Sequence, residues 1–491
     1  MAMSRESNGV MRRIFPGRAR KSIWTIARAR RNLRRMSSWP PSPSEITRPA
    51  YRSLAQRIAA AIDAGDLRPG DRLPPHRDLA WKLGLSVQTV SRAYDELFRA
   101  GLVAGEVGRG TFVRATPRDS IAVPWLRSAA GQPVIDVSML MPVLSAEQQR
   151  ADWTAALADL GPRLEQDAMM SFRPRLTLVP YAGLATDWLA RCGLVVPAER
   201  IIATNGATGA LCVALASAFS SGDEIAVEPV THHMMNATAR IFGVKLRAVA
   251  ADADGMLPEA LAEAARRDHL RGVYLLPSGI GPRPVIMTRE RRAALAEIIR
   301  SRDLQLIESD LSGPVAARRP APISGLIGER SWYLSTMTKS LSPGMRLGFL
   351  VAPKLAMEQA LSRNLAMNWM ATPLMAEIAM RWHENGTMDR MLSAQRDALA
   401  SRNLLAERML PGRTLGFRHG LHRWLELPHG ANEAALTAAL LDRGIAVAPG
   451  ARFAVAGGQY RPAMRICLGA PSRRDLSTAL RIISEIVPAA D

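Results

Sequence analysis

The chain of 491 residues has few cysteines, few aromatic residues and no long apolar run. Its three cysteines, Cys192, Cys212 and Cys467, are an odd number without the spacing of a metal site. A disulfide framework and a metal centre are therefore not expected, and a reducing, cytoplasmic compartment is favoured. No apolar run approaches the roughly 20 residues that cross a bilayer, so a membrane-spanning helix is not expected.

Acidic residues are also scarce. The chain has 44 Asp and Glu against 64 Lys and Arg, which gives a formal net charge of +20 and a pI near 11.0. Half of this excess lies in residues 1–35, where eleven basic residues accompany a single Glu. Such an excess predicts an anionic partner, most commonly nucleic acid. The tail is interpreted either as an arm that binds DNA phosphates or as a solvated or spuriously translated extension, with Met36 as an alternative start.

Composition shifts divide the chain into four parts. Residues 1–48 are basic or rich in Pro and Ser and are expected to be disordered. Residues 49–115 carry a short helical and hairpin pattern, and residues 116–133 are expected to be a linker. Residues 134–488 are expected to form an α/β domain, with a large lobe at about 134–370 and a small lobe at about 371–488.

The first folded part has the pattern of a winged helix-turn-helix. A short amphipathic helix in "HRDLAWKLGL" is predicted to end at Gly84, and Ser86 is a good N-cap for a helix over Val87–Arg99. A β-hairpin follows, with Gly108, Arg109 and Gly110 at its turn. In such a module the second helix lies in the major groove of DNA.

Several polar side chains of this module are suited to DNA contacts, although each is also compatible with a solvated surface. Residues at the start of the second helix can reach phosphates or base edges, and Gln can bond an adenine edge. An arginine at the wing tip can enter the minor groove, and one at the start of the first helix can hold a phosphate. The predicted DNA-binding residues are Arg77, Ser86, Gln88, Thr89, Arg92 and Arg109.

The stretch "GDRLPPHRDLAWKLGLSVQTVSRAYDELFRAGLVAGEVGRGTFV" resembles the DNA-binding domain of the GntR family of bacterial regulators. The resemblance covers about residues 49–115. It implies that the arginine at position 77, the start of the second helix and the wing tip contact DNA.

Residues 134–488 alternate helical stretches with β-rich runs such as "GDEIAVEP", "GVYLLP", "LQLIES" and "SWYLST", which predicts a mostly parallel sheet covered by helices. In "LSTMTKSLSPGMRLGFLVAP", Lys339 follows a strand and Arg346 follows a turn. A desolvated lysine near other cations is a candidate for a Schiff base, and Arg346 can bind a phosphate. "TNGATGAL" adds backbone N–H groups at a helix N-terminus. A surface charge is the alternative interpretation of the lysine.

The lysine stretch resembles that of fold-type I aminotransferases, and its combination with a GntR module resembles the MocR subfamily of regulators. The resemblance implies a pyridoxal 5'-phosphate (PLP) cofactor bound to Lys339 as a Schiff base and a homodimer. It also implies a phosphate site at Ala207, Thr208 and Arg346, and a carboxylate-binding arginine at Arg465. His232 stands where a stacking Tyr is common, and a His can also stack on a ring.

Three positions depart from the family pattern. Gly281 stands where an Asn usually bonds the cofactor's phenolic oxygen. Ser309 and Ser312 stand where an Asp and a Tyr are usual. A carboxylate keeps the pyridinium nitrogen protonated, and a serine cannot do so as an anion. Asp310 could take over only if the strand end shifted by one residue, because neighbouring side chains point to opposite faces.

The sequence therefore predicts a transcriptional regulator that binds a double-stranded DNA operator and carries a PLP-binding effector domain with weak or no turnover. An amine or amino acid is the expected effector. Two alternatives remain open: a working PLP-dependent aminotransferase with a DNA-binding module, and a regulator whose aminotransferase-like domain has lost the cofactor and only dimerises.

Overall fold

The protein is described from a computed structural model. The structure describes residues 39–64, 66–67, 70–99, 102–106, 110–113, 134–143, 145–161, 179–267, 269–316 and 319–488. The basic tail up to residue 38, Arg109 and the predicted linker 116–133 lie outside these residues. The chain divides into two compact units, residues 1–120 and 121–491. Among the described residues no helix is long and apolar enough to cross a membrane.

The first unit is a winged helix-turn-helix. Its elements are helices α1 (Ala50–Ala64), α2 (His76–Leu83) and α3 (Val87–Arg99) and strands β1 (Val103–Glu106) and β2 (Gly110–Val113). Gly84 ends α2 in the left-handed region at φ +63°, which glycine adopts without a Cβ clash. Ser86 caps α3 by accepting a hydrogen bond from the Thr89 amide at 3.1 Å. The antiparallel β1–β2 pair completes the predicted wing.

The buried faces of the three helices form one apolar core. It includes Leu54 and Ile58 of α1, Leu79 of α2 and Val90 and Tyr94 of α3, each fully or almost fully buried. The Tyr94 hydroxyl donates to the Pro74 carbonyl at 2.8 Å, so its one polar group is satisfied inside that core.

The second unit is built on a seven-stranded sheet in the order β4-β12-β11-β10-β9-β5-β6. Its strands are β4 (Ile201–Thr204), β5 (Glu224–Val227), β6 (Lys245–Ala248), β9 (Leu270–Leu275), β10 (Gln305–Asp310), β11 (Ser331–Thr336) and β12 (Gly348–Val351). All neighbours pair in parallel except β12, which is antiparallel to both β11 and β4. The four quoted β-rich runs are thus strands β5, β9, β10 and β11, and the prediction of a mostly parallel sheet is confirmed.

Helices cover this sheet and continue into a smaller lobe. They are α4 (Ala146–Leu160), α5 (Ala182–Arg191), α6 (Gly206–Ala218), α7 (His233–Ile241), α8 (Pro258–Ala264), α9 (Arg289–Ser301), α10 (Ser324–Ile327), α11 (Met357–Asn368), α12 (Pro373–Glu384), α13 (Thr387–Met409), α14 (Glu433–Asp442) and α15 (Arg473–Ile486). Short 3-10 turns lie at Pro43–Glu45, Val179–Tyr181, Ala198–Arg200, Gly313–Val315, Pro343–Met345, Lys354–Ala356 and Gly450–Phe453.

The small lobe has its own antiparallel sheet, in the order β13-β14-β17-β16. Its strands are β13 (Thr414–Leu415), β14 (His422–Glu426), β16 (Ala448–Pro449) and β17 (Ala463–Cys467). Two short pairs lie outside the main sheets: β7 (Ala251–Asp252) with β8 (Gly255–Met256), and β3 (Ile135–Asp136) with β15 (Ile445–Ala446). The β3–β15 pairing joins the segment that precedes the large sheet to the small lobe.

A buried charge cluster ties strand β10 to the helices on one face of the sheet. Glu308 accepts the amides of Ile323 at 3.2 Å and Ser324 at 2.7 Å, and lies 3.8 Å from the Arg292 guanidinium. Arg292 also donates to three backbone carbonyls, those of Met287, Ala321 and Pro277. Both charged side chains are almost completely buried, so each is held by the other and by the backbone.

Glu308→Ala is expected to destabilise the second unit by about 3–5 kcal/mol, because it leaves Arg292 charged and buried without its partner. Urea unfolding followed by tryptophan fluorescence measures this loss. Glu297→Ala is the matched control, since Glu297 forms an exposed pair with Arg300 and should change stability by less than about 1 kcal/mol. Equal effects of the two changes would contradict the role given to Glu308.

Candidate functional site

The predicted site residues converge where parallel strands of the large sheet end. His232 follows β5, Ser309 lies at the end of β10, and Lys339 follows β11. Arg465 reaches the same region from β17 of the small lobe, since its charge acts on both His232 and Lys339. The site is therefore formed between the two lobes of one unit, as is usual for ligand sites of open α/β sheets.

Lys339 lies in the connection between β11 and β12, and its Nζ donates to the Leu140 carbonyl at 2.7 Å. Burial and the nearby Arg465 guanidinium lower the pKa of Lys339 to about 8. A neutral amine is the nucleophilic form of lysine, so this environment favours attack on a carbonyl group.

Arg346 and the N-terminus of α6 form a compact anion-binding cradle. Arg346 has φ +45° and donates to the Asn205 carbonyl at 3.3 Å. Gly206 has φ +73°, and a Cβ there would lie 2.9 Å from the Arg346 guanidinium. A Cβ on Gly348 would lie 2.8 Å from the Gly206 backbone. Only glycines allow strand, helix and guanidinium to approach this closely.

The first turn of α6 is open to an external acceptor. Asn205 is its N-cap residue, but the Asn205 side chain makes no capping bond and instead donates to the Met370 carbonyl at 3.2 Å. The amides of Ala207 and Thr208 thus belong to a helix start without a side-chain cap. Together with Arg346, this arrangement fits the phosphate of PLP.

Arg465 is a buried guanidinium that has no carboxylate partner among the described residues. It donates to the Ser138 carbonyl at 3.0 Å and lies 4.6 Å from the centre of the Phe453 ring. Its Nε atom is buried without a hydrogen-bond partner in the same part of the chain. A ligand carboxylate would satisfy both the charge and this donor.

His232 supplies a neutral ring. Burial, followed by the charges of His233, Arg465 and Lys339, lowers the pKa of His232 well below its usual value. The His233 ring lies 4.7 Å away, centre to centre. An uncharged imidazole can stack on a cofactor ring without adding to the positive charge of the site.

The carboxylate that usually holds the pyridinium nitrogen is absent from its position. Ser309 is buried there, next to the Tyr274 hydroxyl. The Asp310 carboxylate bonds the Arg319 guanidinium and the Tyr333 hydroxyl, each at 2.5 Å. Asp310 shares its face of β10 with Glu308, because side chains alternate along a strand. The strand end is not shifted, and Asp310 is committed to other partners.

Gly281 and Ser312, the other two positions that depart from the family pattern, are also bonded to neighbouring groups. The carbonyls of Gly281 and Pro282 lie 2.9 and 3.0 Å from Nε2 of His422, on β14 of the small lobe. Burial and Arg465 lower the pKa of His422 to about 3. The Ser312 hydroxyl donates to the Ser278 carbonyl at 3.3 Å. The His422 and Ser312 side chains are thus each bonded to backbone carbonyls.

Sequence reasoning missed three contributors to the site: His422 and the carbonyls of Ser138 and Leu140. Two are backbone atoms from a segment almost 200 residues before Lys339, and no motif marks a carbonyl acceptor. His422 carries no clear signal either, because its strand β14 also contains Arg423 and Glu426, so the histidine does not stand out as its one polar residue. Among the described residues no group of three His, Cys, Asp or Glu side chains could hold a metal.

In the DNA module, Arg77 is exposed at the start of α2, Gln88 at the start of α3 and Arg92 about one turn further along α3. The Arg92 guanidinium lies 4.6 Å from the Tyr51 ring centre, so it also packs on α1. The Ser86 and Thr89 hydroxyls bond each other at 2.8 Å as part of the helix cap. The wing arginine lies outside the described residues.

A winged helix-turn-helix joined to an aminotransferase-type α/β unit defines a class of DNA-binding transcriptional regulators. The chain belongs to the aminotransferase class I and II family, which matches residues 184–483, and residues 50–113 match the gntR family of bacterial regulatory proteins. The family implies PLP as the cofactor of the second unit.

Two curated relatives are similar to this chain. The HTH-type transcriptional regulator YdeF of Bacillus subtilis is 27% identical over 457 residues, which cover 92% of this chain and 97% of that protein. The probable rhizopine catabolism regulatory protein MocR of Rhizobium meliloti is 27% identical over 332 residues, which cover 62% of this chain and 66% of that protein.

Solved structures share the fold of the second unit. A kynurenine aminotransferase of Pyrococcus horikoshii superposes with a TM-score of 0.66 at 19% identity, over 72% of this chain and 91% of that chain. The aspartate aminotransferase of Thermus thermophilus gives a TM-score of 0.62 at 18% identity, over 72% and 92%. At these identities the likeness concerns the fold.

Lys339 is expected to react with an amine-directed acylating reagent in proportion to its neutral fraction, with a midpoint near pH 8. This midpoint lies below that of a free lysine because the pKa of Lys339 is lowered. The amine therefore loses its proton two to three pH units earlier than a free lysine, whose pKa is about 10.4. Mass spectrometry of the labelled peptide across pH 6 to 11 measures the rate, with a lysine model peptide as reference. A midpoint above about pH 10 would contradict this description of the pocket.

Proposed function

We propose that this regulator holds PLP on Lys339 and uses the cofactor pocket to sense an amine or amino acid, with little or no turnover. The observation that carries the proposal is the contrast between the groups that the pocket retains and the residues at the end of strand β10. The anchor, the anion cradle and Arg465 are retained, whereas Ser309 occupies the place of the pyridinium carboxylate and Asp310 is bound to Arg319.

Each retained group has a defined task. Arg346 and the amides of Ala207 and Thr208 hold the phosphate, and Lys339 presents a neutral amine. Bound PLP supplies an aldehyde that can exchange between this lysine and a free amine. Arg465 takes up a carboxylate and thereby favours amino acids over simple amines. Ser309 cannot hold a proton on the pyridine nitrogen as a carboxylate does, so carbanion chemistry is weak.

Sensing requires that the effector bind two arrangements of the protein unequally. Arg465 and Lys339 are each held by a backbone carbonyl, of Ser138 and Leu140, and both bonds are open to competition from a ligand. We further propose that the chain acts in the cytoplasm as a homodimer, so that two DNA modules contact two half-sites of one operator.

A cofactor-free regulator is the second candidate. The His422 contact with the Gly281 and Pro282 carbonyls favours it, because this side chain occupies a region from which a cofactor-binding Asn is missing. In that case the second unit only dimerises. An active aminotransferase has no comparable observation in its favour.

Lys339→Ala is expected to abolish the absorbance band of lysine-bound PLP that the parent protein develops with added PLP. Borohydride reduction should make the label permanent in the parent and leave the variant unlabelled. Lys354→Ala, at an exposed lysine, is the matched control and should behave like the parent. No band in the parent would favour the cofactor-free regulator, and a steady transfer of amino groups to a keto acid would indicate an enzyme.

Arg77→Ala is expected to weaken operator binding and to lower the salt slope of the binding constant by about 1, if Arg77 neutralises one phosphate. Fluorescence anisotropy with a labelled operator at several salt concentrations measures the slope. Arg92→Ala is a less clean test, because it also removes the contact with Tyr51. Arg300→Ala, on the surface of the second unit, is the control. An unchanged slope would make Arg77 a structural residue.

A further inference from the structure

A small cavity of about 280 Å³ lies between helix α5, the 3-10 turn at Gly313–Val315 and helix α13. Three arginines line it: Arg191 at the end of α5, Arg319 after the turn, and Arg396 on α13. The other lining residues are small or apolar, and none is acidic. Neither Lys339 nor a residue of the anion-binding cradle takes part, so this cavity is separate from the cofactor pocket.

The Arg319 side chain is almost completely buried, at 5% exposure. Its Nη2 atom donates to the Cys192 carbonyl at 2.9 Å and binds the Asp310 carboxylate at 2.5 Å. Its Nη1 atom is buried and has no hydrogen-bond partner among the described residues. A buried donor without an acceptor is costly, so the cavity that Arg319 lines has a place for an external acceptor.

Arg396 has no carboxylate partner in the described part of the chain. Its Nε and Nη2 atoms donate to the carbonyls of Val315 at 3.4 Å and Pro314 at 2.9 Å, and neither acceptor carries a charge. Arg191 binds the Asp389 carboxylate, which is more than half exposed, so solvent weakens this pair. The three guanidinium groups are thus in contact with two carboxylates, and the excess charge is positive.

The size and the donors of the cavity suit a small oxyanion. Guanidinium groups match the oxygens of a phosphate with two parallel N–H donors. The volume lies just below the range of about 300–1,000 Å³ that drug-sized ligands occupy. No aromatic residue lines the cavity, so it offers no stacking wall for a nucleotide base. A free ion fits these surroundings better than a larger phosphorylated molecule.

We propose that this cavity binds a free inorganic oxyanion of the phosphate type, held between Arg319 and Arg396. The anion supplies the acceptor that the Arg319 Nη1 atom lacks and the counter-charge that Arg396 lacks. Arg396 lies on α13, whose buried residues belong to the core of the large lobe at Met391 and to that of the small lobe at Ala406. The bound anion therefore connects the helix shared by the two lobes to the arginine that neutralises the end of β10.

Equilibrium dialysis of the full chain against labelled phosphate, at constant ionic strength in chloride, tests the proposal. The parent is expected to bind one phosphate that Ala190→Glu loses, because the added carboxylate pairs with the guanidinium groups itself. Ala190 lines the cavity and is exposed at the end of α5, so its replacement should not prevent folding. Ala190→Gln, which has the same size without the charge, is the matched control and should bind phosphate like the parent. Arg396→Gln should weaken binding by about tenfold.

Arg346→Gln separates this site from the cofactor cradle, which can also hold a phosphate. It should keep the phosphate that Ala190→Glu loses. Loss of phosphate in Arg346→Gln together with full binding in Ala190→Glu would overturn the proposal, since the ion would then occupy the cradle. Equal binding by the parent and Ala190→Glu would overturn it as well, and tighter binding of glycerol 3-phosphate than of phosphate would overturn the assignment to a free ion. A failure of PLP to bind Lys339 would leave these results unaffected.

Discussion

The alternation of side chains along strand β10 is the constraint on which the second unit depends. Glu308 and Asp310 point to one face, where Arg292 and Arg319 neutralise them inside the protein. Ser309 points to the other face, towards the cofactor pocket. A shift by one residue would exchange these faces and bury two carboxylates against groups that cannot pair with them. The ion pairs therefore fix the strand register, and the register places Ser309, a neutral group, on the face towards the pocket.

The second constraint is the dependence of the site on both lobes. The carbonyls of Ser138 and Leu140 hold Arg465 and Lys339, and the segment that supplies them is joined to the small lobe by the β3–β15 pair. The lysine belongs to the large lobe, whereas its acceptor lies in a segment that also pairs with the small lobe. The cofactor pocket is thus formed by groups from both lobes.

Much of this arrangement could be predicted from the sequence. Ser86 as a cap, Gly84 as a helix end and the four parallel strands follow from local patterns, since each requires particular residues at particular positions. Lys339 and Arg346 follow from their spacing around one turn. The antiparallel direction of β12, the carbonyl acceptors and His422 do not follow, because they depend on contacts between distant segments that no local pattern records. The partners of Asp310 could not be predicted for the same reason. The sequence contains both the carboxylate and Arg319 nine residues later, but no local pattern shows that the two side chains pair.

The antiparallel return of the chain at β12 has a mechanical consequence. Lys339 and Arg346 lie in one connection, whose ends are fastened by the paired strands β11 and β12 and by the bond between the Met337 amide and the Leu347 carbonyl. Lys339 and Arg346 therefore lie in one connection that is held at both ends. Arg465, on the opposite wall, is carried by the small lobe. The two ends of the pocket are therefore carried by different lobes, with Lys339 and Arg346 on the large lobe and Arg465 on the small lobe.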